Sequence, residues 1–138
     1  MNVKDTIKIF DDVIRPSILN GFTKYCQTKN FEEAKVVGNV DGDELKKIKT
    51  QLFNFNGFQL NEDTMNDKIF TDIHWKNILT NVILMCNQRY LQDLKIPDKK
   101  ISTIADISLL KYPEGGHYVL HSDYHTKHQR EFSFILFV

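Results

Sequence analysis

The chain has 138 residues, enough for one domain and too few for two ordinary ones. Eighteen Lys and Arg balance eighteen Asp and Glu, and a net charge of zero excludes a strongly basic nucleic-acid binder and an acidic tail protein. With 41% hydrophobic residues, 26% charged residues and ten Phe, the composition is that of a soluble globular chain with a real core, not a disordered one.

In chain order, IKIF (7–10) reads as a short strand ending at Asp11-Asp12. Pro16 suits the first position of a helix, and Ile18, Leu19, Phe22, Tyr25 and Cys26 follow at helical spacing on one face, to an end near Asn30. Asn20 and Gly21 weaken that helix without abolishing it. AKVVG (34–38) suggests a strand, Asp41-Gly42-Asp43 a turn, and IKTQLFNF (48–55) a further strand, with a helix start at 45–49 as its alternative. Asn56-Gly57 is a turn signal and 61–67 a polar loop. A second helix is expected over 71–94, with Trp75, Ile78, Leu79, Val82, Ile83, Cys86, Tyr90 and Leu94 as one apolar stripe. Asp72 near its start favours the helix dipole, and Pro97 lies just past its end.

From Ile101 the pattern turns to strands: ISTIADISLLKY (101–112), a PEGG turn (113–116), HYVLHSD (117–123) and EFSFILFV (131–138). The last is apolar at nearly every position, so burial of both its faces is expected. The expected class is α+β, a single domain over 1–138 with helical support in 1–100 and core strands in 101–138.

Cys26 and Cys86, sixty residues apart, match no metal or redox spacing and read as reduced, buried thiols. No stretch is long and apolar enough for a signal peptide or a membrane span, so a cytoplasmic protein without membrane or nucleic-acid partners is expected.

Four of the five His lie in the C-terminal third: His117, His121, His125 and His128. His74, beside Trp75, reads as structural. In a strand, residues i and i+2 share a face, so His121 and Asp123 bring an imidazole and a carboxylate together. Two His and one carboxylate form the facial triad of non-haem iron oxygenases. Chance alone gives about 0.4 His-x-Asp triplets in a chain of this composition, so the surrounding residues must decide.

Those residues are Tyr112, Gly115-Gly116, Tyr118-Val119-Leu120-His121-Ser122-Asp123, and Arg130 before the apolar run 131–137. In that order they resemble the prolyl 4-hydroxylase-like branch of the iron(II)/2-oxoglutarate-dependent dioxygenases. IKIFDDVIRPSILNGF resembles the family's opening strand and first helix, and HWKNIL…RYL its long supporting helix. The resemblance covers most of the chain, with a specific core of about thirty residues.

It implies N-terminal helices packed on a double-stranded β-helix, or jelly-roll, core, with His121 and Asp123 as iron(II) ligands. Tyr112 would hydrogen-bond the 2-oxoglutarate carboxylate, with a core tyrosine as the alternative. Tyr118 is a candidate for the substrate groove, or else a packed aromatic. The implied reaction consumes 2-oxoglutarate and O2, yields succinate and CO2, and hydroxylates a side chain of a peptide, protein or small molecule. L-ascorbate would keep the iron ferrous. Arg130 reads as a loop anchor, His117 as a strand-end residue, and His125 and His128 as residues of a solvated loop.

The family also uses a distal His ligand and a Lys or Arg for 2-oxoglutarate, both from later strands of an eight-stranded jelly roll. Nothing follows Val138, so a fragment truncated in mid-barrel is expected. A split protein and a non-catalytic relative acting as a binding module are the alternatives. In each case the apolar 131–138 segment is expected to self-associate or take up a partner strand.

Overall fold

The computed structural model describes residues 6–33, 50–55, 67–96, 104, 106–116 and 132–138. These form an α+β arrangement of two helices and one three-stranded antiparallel sheet. The chain divides into two compact units: Met1–Tyr25 with Phe58–Ile104 and Val138, and Cys26–Gly57 with Ala105–Phe137.

The first unit holds the second helix and all but the last two residues of the first. Helix α1 spans Pro16–Gln27, and its proline occupies the first helical position as expected. The Arg15 carbonyl accepts from the Ile18 and Leu19 amides at 3.0 and 2.9 Å. The helix stops three residues before Asn30, where the Lys29 amide closes a tight turn onto the Cys26 carbonyl at 3.2 Å. Phe22 and Tyr25 are buried, whereas Ile18 is exposed, so the apolar face is narrower than its spacing suggested.

Helix α2 spans Asp67–Asp93 and begins four residues earlier than expected. No Gly or Pro separates Asp67 from Thr71, so nothing local stops the helix extending backwards. Leu79, Cys86 and Leu91 are buried on it. Its C-terminus is a Schellman motif: the Ile96 amide donates to the Leu91 carbonyl at 3.0 Å and the Lys95 amide to Gln92 at 2.9 Å. Lys95 sits at φ 59°, the left-handed conformation that glycine adopts without steric cost. Lys95→Gly should therefore stabilise the protein by roughly 0.5–1 kcal/mol, read as a higher urea midpoint at unchanged slope.

Residues 7–10 are not a strand. Ile9 is 84% exposed, and none of the described strands pairs with the segment. Side chains hold it instead: the Tyr90 hydroxyl donates to the Thr6 carbonyl at 2.7 Å, and the Arg89 guanidinium lies 5.1 Å from the Phe10 ring centroid. β-Propensity alone, without a ladder partner, does not make a strand.

The second unit holds the sheet. Strand β1 is Glu32–Glu33, β2 Gln51–Asn54 and β3 Ser108–Lys111, in the order β1-β2-β3. The register places Glu32 opposite Leu52 and Leu52 opposite Leu110, while Gln51 faces Lys111 and Phe53 faces Leu109. Strands β1 and β2 lie within residues 1–100, and β2 falls inside the strand expected over 48–55. Strand β3 is shorter than the expected 101–112 because β2 offers only four residues to pair with. A Phe55 amide to Ile107 carbonyl bond at 3.1 Å extends the pairing. Phe55 and Thr50 are fully buried, and the rings of Phe31, Phe53 and Phe55 meet edge to face.

The expected turn follows β3. The Gly116 amide donates to the Pro113 carbonyl at 2.7 Å, and Gly115 at φ 68° supplies the positive φ that the third position of a type II turn needs. The apolar run near the C-terminus differs from expectation. Residues 132–138 form no strand, and Ile135 and Phe137 are 78% and 87% exposed. Apolar content calls for burial, but burial on two faces needs flanking strands, and none of the described strands pairs here. The expected strands at 34–38 and 117–123, the turns at 41–43 and 56–57, and Pro97 lie outside the described residues.

Candidate functional site

Tyr112 is the one proposed site residue within the described part of the chain. It directly follows β3 and precedes the 113–116 turn. Side chains alternate along a strand, so the two faces of the sheet can be told apart. One carries Phe53 and Leu109, half-buried, with Phe55 and Ile107 buried beside them. The other carries Leu52, Asn54, Ser108 and Leu110, and the alternation carried one residue further puts Tyr112 there. Along β3 that face is open, with Leu110 48% and Tyr112 52% exposed, whereas on β2 Leu52 is half-buried and Thr50, just before the strand, is fully buried. Tyr112 is thus not a core tyrosine.

His121, Asp123, Tyr118, His117, His125, His128 and Arg130 lie outside the described residues. As donors, an imidazole nitrogen and a carboxylate oxygen suit ferrous iron. Among the described residues, no three His, Cys, Asp or Glu side chains come together as a metal site. Nor, among them, is any helix long and apolar enough to cross a membrane. His74 is exposed, with its ring 5.5 Å from that of Trp75 at 69°.

Both cysteines are free, Cys86 buried and Cys26 half-buried. Burial pushes each thiol above its ordinary value of 9.0. A backbone hydrogen bond and Lys29 pull Cys26 back in part, and Arg89 does the same for Cys86. A raised thiol keeps its proton longer in the folded state. The associated stability is therefore present below pH 9.0 and falls as pH rises beyond it. Both should alkylate with N-ethylmaleimide at pH 8 more slowly than free cysteine, and urea should remove the difference.

Two buried polar groups lie on α2, one read in the sequence only as a dipole partner and the other not read at all. Asp72 lies in the second turn, not at the helix start, and is buried; its Oδ1 accepts a 2.5 Å hydrogen bond from the buried Tyr25 hydroxyl. The signal was present, because Asp72 precedes Trp75 by three and Leu79 by seven, on the apolar stripe itself. Asn87 is also buried, and its Oδ1 has no hydrogen-bond partner among the described residues.

No protein-family model, curated protein or solved structure matches this chain.

Proposed function

We propose that the chain is a non-haem iron(II)/2-oxoglutarate-dependent dioxygenase of the prolyl 4-hydroxylase-like kind, with a jelly-roll core, acting on a side chain of a peptide or protein. The observation that carries this reading is Tyr112: a half-exposed phenol on the open face of the sheet, joined by a tight glycine turn to the segment bearing His121-x-Asp123. A buried tyrosine would have weighed against it.

In this reading His121 and Asp123 hold the iron, and Tyr112 donates to a carboxylate oxygen of 2-oxoglutarate. The Leu52–Leu110 floor beside Tyr112 offers apolar surface against which substrate can exclude water. Bound iron would supply the activation of O2 that couples decarboxylation of 2-oxoglutarate to hydroxylation, with L-ascorbate keeping the metal reduced.

A second reading is a non-catalytic module that lends its apolar 131–138 segment to a partner's sheet. The exposure of Ile135 and Phe137 favours it. Succinate formation separates the two. The protein loaded anaerobically with iron(II), then given 2-oxoglutarate, ascorbate and air, should release succinate above the level of an iron-free control. No succinate under these conditions would leave the module reading.

A further inference from the structure

The two faces of the sheet differ in charge as well as exposure. On the half-buried face, the Lys29 ammonium lies 5.2 Å from the Phe53 ring centroid and the Lys111 ammonium 5.8 Å from that of Phe31, and Glu33 shares the face in one row with Gln51 and Lys111. On the open face, the register aligns Glu32, Leu52 and Leu110 in one row across the three strands. Asn54 and Ser108 form the next row, and Tyr112 lies beyond Leu110. Glu32 is exposed, and the alternation places Asp106 on this side too. Among the described residues of the open face, the charged side chains are therefore acidic.

Resting on the dioxygenase reading, we infer that this open face docks the substrate, and that the substrate is a peptide segment carrying a basic residue two positions from an apolar one. The spacing sets this pattern. Neighbouring strands lie about 4.8 Å apart, so Glu32 stands roughly 10 Å from Leu110 across the row. An extended peptide crossing the strands presents a side chain to the sheet about every 7 Å. An apolar side chain seated on Leu52 and Leu110 then leaves the next same-side residue within a lysine's or arginine's reach of Glu32. A nucleic-acid backbone is disfavoured, because its phosphates would meet carboxylates here.

The test is fluorescence anisotropy on the full chain, without iron or 2-oxoglutarate. The probes are fluorescein-labelled decapeptides in which leucine and either lysine or glutamate lie two positions apart with serine between them, and a single-stranded oligonucleotide. The lysine peptide should bind at least about tenfold more tightly than the other two probes. Glu32→Lys should weaken it roughly fivefold, and Leu110→Asp about tenfold. Because Leu110→Asp can disturb the sheet, Leu110→Ala serves as the milder variant and should weaken binding in the same direction. Lys111→Glu, on the other face of the same strand, should leave binding unchanged.

Equal binding of the lysine and glutamate peptides would overturn the inference, as would tighter binding of the oligonucleotide or a Lys111→Glu effect as large as that of Glu32→Lys. The outcome is separable from that of the parent reading. Succinate formation without peptide discrimination sinks the docking surface alone. Discrimination without succinate removes its role as a substrate site.

Discussion

Phe22→Ala should cost about 3–5 kcal/mol, the largest stability loss expected from any single truncation in the helical unit. Phe22 is 2% exposed and lies at the meeting of α1 and α2. Its ring centroid is 5.2 Å from that of Trp75 and 6.0 Å from that of Tyr25, and Tyr25 and Trp75 are 5.6 Å apart. Truncation removes one corner of this aromatic triangle and leaves a cavity that the stiff indole cannot fill. For a small domain, whose total stability is of order 5–15 kcal/mol, that is a large share. Trp75 is the only tryptophan, so its fluorescence during urea unfolding reports on this cluster directly.

The same measurement isolates the polar contact beneath the rings. Tyr25→Phe keeps the ring and removes the 2.5 Å donor to the buried Asp72 carboxylate, at a cost of about 1–3 kcal/mol. Replacing both partners, as in Tyr25→Phe with Asp72→Leu, should recover part of that loss. Two apolar groups leave no buried carboxylate deprived of a donor. Additive losses in the double variant would show that the hydrogen bond is not what ties the two helices at this point.

The parts of the fold that were legible in the sequence are those with local causes. Pro16 marks the start of α1 because its fixed φ suits that position alone, and the stripe from Trp75 to Leu94 marks α2 because a helix repeats on itself. The 113–116 turn was legible for a similar reason, since its glycine takes the φ of 68° that other residues avoid. Sheet pairing is not local. Nothing in Glu32-Glu33 announces a strand, yet a register with β2 makes it one. The 7–10 segment has the composition of a strand and lacks a described partner. At 132–138 the same shortfall is larger, for apolar content signals a need for cover without saying what supplies it. The candidate site divides in the same way. His121-x-Asp123 is a local motif, readable by eye. That Tyr112 stands on the open face follows only from the pairing of β2 with β3.

That position of Tyr112 makes the sharpest test of the site. Tyr112→Phe should raise the KM for 2-oxoglutarate about 10- to 100-fold, the equivalent of one charge-assisted hydrogen bond of about 1.5–3 kcal/mol. The kcat at saturating 2-oxoglutarate should change little, because a bond made equally in the ground and transition states affects binding alone. His121→Ala should instead abolish succinate formation at every 2-oxoglutarate concentration, since a ligand to the reacting metal cannot be replaced by more cosubstrate. The two variants thus separate a binding role from a catalytic one. Stability does not confuse the comparison at Tyr112: the side chain is half-exposed, and loss of a surface hydroxyl falls within about 0.5 kcal/mol. If Tyr112→Phe leaves the KM within twofold while His121→Ala is inactive, the iron site stands and Tyr112 is not the carboxylate's partner. The donor must then be sought on the segment between Gly116 and His121, where Tyr118 carries the next hydroxyl.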